Sequence, residues 1–248
     1  MDFGALAAAG RGSWDPRRLN PTAWFRGEVA WVDLGANIDV TTLKDAISPS
    51  NNGTHVTLGT EPEFVSAGWS GDRGTVRFAG SGDGGPNFTI TSGDLSTLGT
   101  GTDLPVSVII SGQLDATTDQ SFCGWDDTTP GLSVMNIRID NADPDGLMRC
   151  DRTDALASSA NATGTQKLFS GRHRRMAWVF RGTSIDFYLD GAFDRNVALD
   201  VGACTFNRFR VGTGPGPADS WDGDMREIII CPRPLSAAEI RAHYLWSL

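Results

Sequence analysis

The feature that most constrains this chain is a two-residue rhythm, in which apolar and polar residues alternate over short runs separated by turn residues. Val106, Val108 and Ile110 alternate with Ser107 and Ser111, Met135, Ile137 and Ile139 with Asn136, Arg138 and Asp140, and Ile185, Phe187 and Leu189 lead into Asp190-Gly191. Successive side chains of a strand point to opposite faces, so each run has one face for a core and one for water, as half-buried antiparallel strands require. Phe209 and Val211 face inward in the same way while Arg208 and Arg210 face out, and Val76/Phe78 and Phe88/Ile90 flank a glycine-rich turn at Ser81-Gly82-Asp83-Gly84-Gly85-Pro86. Ile228-Ile229-Ile230 has no polar face and reads as a strand covered on both sides. Asp190-Gly191 readily takes the positive φ angles of a two-residue hairpin turn. With 30 Gly and 12 Pro among 248 residues, the chain can turn between many short strands and is poorly suited to long helices.

One helix start is explicit. Ser236-Ala237-Ala238-Glu239 is a capping box, and Leu235 and Ile240 have the spacing of a hydrophobic staple, which predicts a terminal helix with Ile240, Tyr244 and Leu248 toward the sheets. A shorter helical turn is expected over 42–47, and the Ser/Ala/Thr/Asn-rich stretch from about 151 to 166 reads as a long loop. Residues 1–20 show neither period and are expected to form an N-terminal arm, with 21–248 as one domain.

The net charge of −9 disfavours a nucleic-acid ligand, because an acidic surface repels phosphate. No run approaches the roughly 20 apolar residues of a spanning helix, so no membrane insertion is expected, and the Met1-Asp2 start with its short Ala5–Ala9 run lacks the form of an export signal. Cys123, Cys150, Cys204 and Cys231 are widely spaced and read as core thiols, not zinc ligands.

The C-terminal third resembles the laminin-G-like, concanavalin A-like jelly-roll family. The matching segments are Met176-Ala177-Trp178-Val179-Phe180, Phe187-Tyr188-Leu189-Asp190-Gly191, Arg210-Val211-Gly212, Trp221 through Ile228, and Arg233 through Ile240, in the family's order and spacing. Val76 through Ser81 is similar to an earlier family strand, with Ala79 where Asp is common, and His173 stands where a Trp usually opens the central strand. The resemblance implies an all-β antiparallel jelly-roll sandwich with a short C-terminal helix, and it specifies a scaffold more strongly than a ligand.

Candidate ligand-binding residues are aromatics beside turn acids, where a ring could stack on a sugar: Trp125 with Asp126 and Asp127, and Trp221 with Asp222. The opposing reading is that both indoles belong to the core. Asp222, Asp224 and Glu227 have the spacing of a glycan-hydrolase acid motif, but the family alignment makes Glu227 a structural strand residue, so no catalytic residue is assigned. Calcium is conceivable on Asp126-Asp127, Asp143/Asp145 or Asp219/Asp222/Asp224, although no D-x-D-x-D-G loop is present and no metal ligands are assigned.

The expectation is a non-enzymatic virion surface protein, capsid-decorating or tail-associated, with host-glycan binding. Such a protein is made in the host cytoplasm, joins other virion proteins through its arm and forms a symmetric homo-oligomer. The alternatives are an extracellular lectin-like module and a glycoside hydrolase.

Overall fold

The computed structural model describes residues 15–27, 32–34, 39–55, 62–65, 74–80, 87–101, 105–115, 120–128, 133–140, 144–214 and 220–247. Two antiparallel sheets pack face to face, with strands numbered in chain order. The eight-stranded sheet comprises β1 (Ala23–Arg26), β5 (Glu63–Val65), β6 (Thr75–Phe78), β8 (Ser107–Leu114), β13 (His173–Phe180), β14 (Ser184–Leu189), β15 (Ala192–Ala198) and β17 (Gly223–Cys231). Its order is β15-β14-β13-β8-β17-β6-β5, and β1 pairs with the second half of β17 beyond β6. The nine-stranded sheet comprises β2 (Val32–Leu34), β3 (Val40–Leu43), β4 (Gly53–His55), β7 (Phe88–Ile90), β9 (Gln120–Asp126), β10 (Val134–Asp140), β11 (Leu147–Thr153), β12 (Ser159–Lys167) and β16 (Arg208–Val211), in the order β12-β11-β10-β9-β16-β7-β4-β3-β2. This is the all-β antiparallel sandwich that the alternation predicts.

The core lies between the sheets and is rich in aromatic rings. Trp221 stacks on Phe78 at 5.2 Å and meets Phe122 edge-on at 4.9 Å, and Trp125 tilts against Phe209 at 4.5 Å. Truncating such a ring to alanine forfeits both its transfer energy and the cavity it fills, typically 3–5 kcal/mol. All four cysteines are buried free thiols, and burial pushes Cys123 and Cys150 up and Cys231 to about 12.

The eight-stranded sheet also buries its other face. Ile109, Ala177, Val179, Tyr188 and Ile229 form a second apolar layer with Leu19, Trp24 and Ile240. The helix α2 (Ala237–Trp246) and a 3₁₀ turn at Pro16–Leu19 contribute to this layer; a short helix α1 (Gly93–Thr97) lies elsewhere, beside β7 and β16. The capping box forms as expected: Glu239 N–H donates to Ser236 Oγ at 3.3 Å and Ser236 N–H to Glu239 Oε2 at 2.8 Å. A hydrogen bond from Arg233, set against some burial, holds the Glu239 carboxyl down at about 2. The Asp190-Gly191 turn joins β14 to β15 with φ of 50° and 75°.

Several expectations change. Residues 151–166 are not a loop but the end of β11 and most of β12, an edge strand whose Ala160 and Ala162 sit in register with Arg152 and Cys150. Short side chains suffice there because an edge strand has one neighbour. No helix forms over 42–47: β3 is followed by a turn in which the buried Asp45 carboxylate accepts from Ile47 N–H at 3.0 Å and Ser48 N–H at 3.2 Å. An aspartate that captures nearby amides favours a turn over a helix. Val76/Phe78 and Phe88/Ile90 belong to opposite sheets, with 81–86 outside the described residues. On α2, Ile240 and His243 are the buried residues, Tyr244 is half-buried, and Leu248 lies outside the described residues. Of the proposed arm, residues 1–14 lie outside the described residues, while Pro16 and Leu19 are packed into the domain.

Candidate functional site

The structure separates the five sequence-nominated residues. Trp125 and Trp221 are both 0% exposed, so neither offers a ring face for stacking. Trp125 donates its indole N–H to Leu95 O at 2.8 Å, and Trp221 Nε1 has no hydrogen-bond partner among the described residues. Both serve as core residues here: Trp125 on β9 faces inward against Phe209, and Trp221, just ahead of β17, packs against Phe78 and Phe122. Asp127 accepts from Asn207 Nδ2 at 2.8 Å, and Asp222, at the entry to β17, donates its N–H to Gln120 Oε1 at 2.9 Å. Asp126, by contrast, lies on the outward face of the nine-stranded sheet, opposite Arg208 in register.

That outward face is the polar surface of the molecule that strand alternation builds most regularly. In register across it run Thr42, Thr54, Thr89 and Arg210 from one side. The row continues through Gly124 and Asn136 to Asp151 and Asn161, with no apolar residue between. Two charge clusters flank its middle. Asp126 takes both nitrogens of a forked Arg208 bond, Nε at 2.7 Å and Nη2 at 2.6 Å, and Arg210 Nη2 reaches it at 3.4 Å. Asp151 accepts from Arg149 Nε at 2.7 Å and pairs with Arg138 Nη1 at 3.3 Å, while Arg149 Nη1 and Thr163 Oγ1 share Asp140 Oδ2, each at 3.3 Å.

Between the clusters the protein leaves polar atoms unmatched. Ser121 Oγ, Asn136 Oδ1 and Arg210 Nε are buried with no hydrogen-bond partner among the described residues. Each unmet buried group costs about 1–3 kcal/mol, so a cluster of them marks a place where the protein alone does not complete its bonding. Gly214 crosses directly above: a Cβ there would lie 2.6 Å from Ser121 Oγ and 2.7 Å from both Asn136 amide atoms. The sequence carried this signal, since Arg208, Arg210, Asn136, Arg138 and Asp140 are the outward residues of the alternating runs. None of them is an aromatic beside an acid.

The acid triplet on β17 is divided. Glu227 Oε2 accepts from Trp24 Nε1 at 3.1 Å, and Glu227 Oε1 lies 3.0 Å from His243 Nε2, all three residues being buried. Burial opposes its ionisation, but His243, the hydrogen bonds and Arg226 together hold its carboxyl below the usual range. Asp224 instead pairs with Arg77 at 3.3 Å. Among the described residues no group of three or more acids, histidines or cysteines is arranged to hold a metal ion, and Asp143 and Asp219 lie outside them.

No curated protein sequence matches the chain. Among solved structures, domain 4 of AbnA, a GH43 extracellular arabinanase from Geobacillus stearothermophilus in complex with arabinotriose, superposes with a TM-score of 0.63 at 14% identity, covering 89% of this chain and 96% of that one. The botulinum neurotoxin serotype G binding domain gives a TM-score of 0.61 at 12% identity over 91% of this chain and 50% of that one. A Trypanosoma rangeli sialidase in complex with the inhibitor DANA gives a TM-score of 0.57 at 12% identity over 98% of this chain and 37% of that one. At these identities the likeness concerns the fold. A family model described as the concanavalin A-like lectin/glucanases superfamily matches residues 113–241, more than half of the sequence, and the chain belongs to that superfamily.

Proposed function

We propose that the protein is a non-catalytic glycan-binding module whose ligand lies on the polar face of the nine-stranded sheet. The observation that carries this reading is the uninterrupted polar row from Thr42 to Asn161 with unmatched polar atoms at its centre. Hydroxyl, amide, carboxylate and guanidinium groups fixed on adjacent strands suit a polyhydroxylated ligand, whose hydroxyls both donate and accept. The match in fold and length to an arabinanase domain in complex with arabinotriose supports it further. Against hydrolysis, Glu227 is buried with both carboxylate oxygens engaged, and β17 therefore offers no free acid pair.

The test is a glycan array followed by titration calorimetry. Thr89→Trp, placed on the polar face, should abolish binding, and Ala238→Trp, on exposed α2 behind the other sheet, should leave it unchanged. Absence of binding to every glycan would refute the module reading, and release of reducing ends from a bound polysaccharide would refute its non-catalytic part.

The setting is proposed as well: a virion surface, reached through the N-terminal arm of residues 1–20, whose described end includes Pro16–Leu19, and in symmetric copies. That segment and α2 both pack on the eight-stranded sheet, so a partner held there leaves the polar face pointing away from it. Co-purification with intact particles at a symmetric copy number tests this, and recovery only as free secreted protein would refute it.

A further inference from the structure

The polar face is not evenly neutralised. In the β10–β11 cluster two arginines, Arg138 and Arg149, face two carboxylates, Asp151 and Asp140. In the β9–β16 cluster two arginines contact Asp126, with Asp127 as a further carboxylate near Arg208, and the sharing of Asp126 is unequal. Arg208 takes both oxygens of Asp126 in a forked bond, leaving Arg210 a single contact at 3.4 Å. Arg210 Nε has no hydrogen-bond partner among the described residues, and the next residue along the row toward β10 is Gly124, which carries no side chain to meet it. Beyond Gly124 stands Asn136, and on the other side Thr89, half-buried, stands next to Arg210 in register. The Arg210 side chain is 21% exposed.

A guanidinium with five donors and one long contact is an incomplete ion pair. Burial and the neighbouring Arg208 both press against its charge, and Asp126 opposes them only in part. The group that would complete it is an anion, whose oxygens accept charge-assisted hydrogen bonds from Arg.

We propose that Arg210, flanked by Thr89 and Asn136, forms a subsite for the anionic group of an acidic glycan, a carboxylate or a sulfate ester. This rests on the glycan-binding reading and narrows its ligand class. The surrounding charge makes the subsite selective: a protein of net charge −9 repels polyanions in general, so an acidic chain binds where an arginine is only loosely paired.

The probes are polygalacturonate, dextran sulfate, and the neutral polymers arabinan and dextran, titrated against the full chain at low salt and at about 0.5 M NaCl. At least one acidic polymer should bind more tightly than both neutral ones, and salt should weaken it. Arg210→Gln should reduce that binding roughly 10- to 100-fold, as loss of a charge-assisted hydrogen bond implies, and Arg210→Lys should restore part of it. Asp126→Asn, which removes the competing carboxylate, should strengthen it. The polymer that responds to these changes distinguishes carboxylate from sulfate. Because Asp126→Asn predicts a gain, a folding defect in Arg210→Gln would not decide the matter alone. Equal affinity of the wild type for neutral and acidic polymers, or an unchanged Arg210→Gln, overturns the subsite while leaving glycan binding intact. Failure of all four polymers and of the glycan array overturns both.

Discussion

Replacing Glu227 separates a structural role from a chemical one. Its two oxygens join three elements: Trp24 on β1 at 3.1 Å, His243 on α2 at 3.0 Å, and β17 itself. Glu227→Ala would leave a buried indole N–H and a buried imidazole without their acceptor and open a cavity under α2. Removing one partner of a buried, hydrogen-bonded pair costs about 3–5 kcal/mol, which for a domain of this size lowers the melting temperature by roughly 6–20 °C. Glu227→Gln keeps the shape and one acceptor but loses the charge, and should cost about 1–2 kcal/mol. The sign of the pH dependence follows from the direction of the shift. The carboxyl is held below its ordinary value in the folded state, so its contribution is fully present above pH 4.5 and is lost as pH falls through the folded value. Urea denaturation from pH 7 to pH 3 should therefore show the gap between wild type and Glu227→Gln closing at the acid end. An unchanged urea midpoint for Glu227→Gln at pH 7, or a gap that widens with acid, would refute the buried-tie argument.

Three further outcomes are expected. Trp221→Ala should cost about 3–5 kcal/mol in urea titrations, and the folded fraction should bind glycans with unchanged affinity because the ring is 0% exposed. Gly191 has φ of 75° and a Cβ there would lie 2.8 Å from Tyr244 Cβ, so Gly191→Ala should cost about 1–2 kcal/mol, read as a shift in the urea midpoint. Burial, with Arg175 and Arg226 nearby, presses the His173 imidazole down to about 2. It stays neutral in the fold while the unfolded chain takes up its proton below pH 6.5, so stability should fall toward acid by up to about 1.4 kcal/mol per pH unit from this group. A proton NMR titration that finds His173 charged at pH 5 would contradict this.

The strands that alternate cleanly were legible in the sequence, as were the Asp190-Gly191 hairpin and the Ser236 capping box, because each depends on residues within one or two turns of chain. What eluded local reading depended on distant partners. β12 is built of Ser, Ala, Asn and Thr, which carry no strong preference, and it becomes a strand because β11 offers it a register from Thr153↔Ser159 onward. Asp45 lies in a stretch with helical spacing, yet its carboxylate also accepts from Trp24 N–H at 2.7 Å, 21 positions away in sequence. The aromatic residues were misplaced as binding candidates for a related reason. A tryptophan beside two aspartates looks like a platform in one dimension, but on β9 the tryptophan and Asp126 necessarily face opposite sides of the sheet.

That same parity explains which face is free to bind. Every apolar residue in the inner rows is matched by an outward one, and the two sheets treat their outward rows differently. On the eight-stranded sheet Trp24, Ile109, Ala177, Val179 and Ile229 are apolar, which requires a cover, and α2 with Leu19 supplies it. On the nine-stranded sheet the corresponding positions are Thr89, Arg210, Asn136 and Asp151, which need water or a polar ligand. An outward row of planar and hydroxyl-bearing side chains is costly to cover with protein, since each group would need a partner. The polar face is thus the side of the sandwich where bonding is left unmet, and the single long contact of Arg210 with Asp126 is the proposed source of its chemical preference.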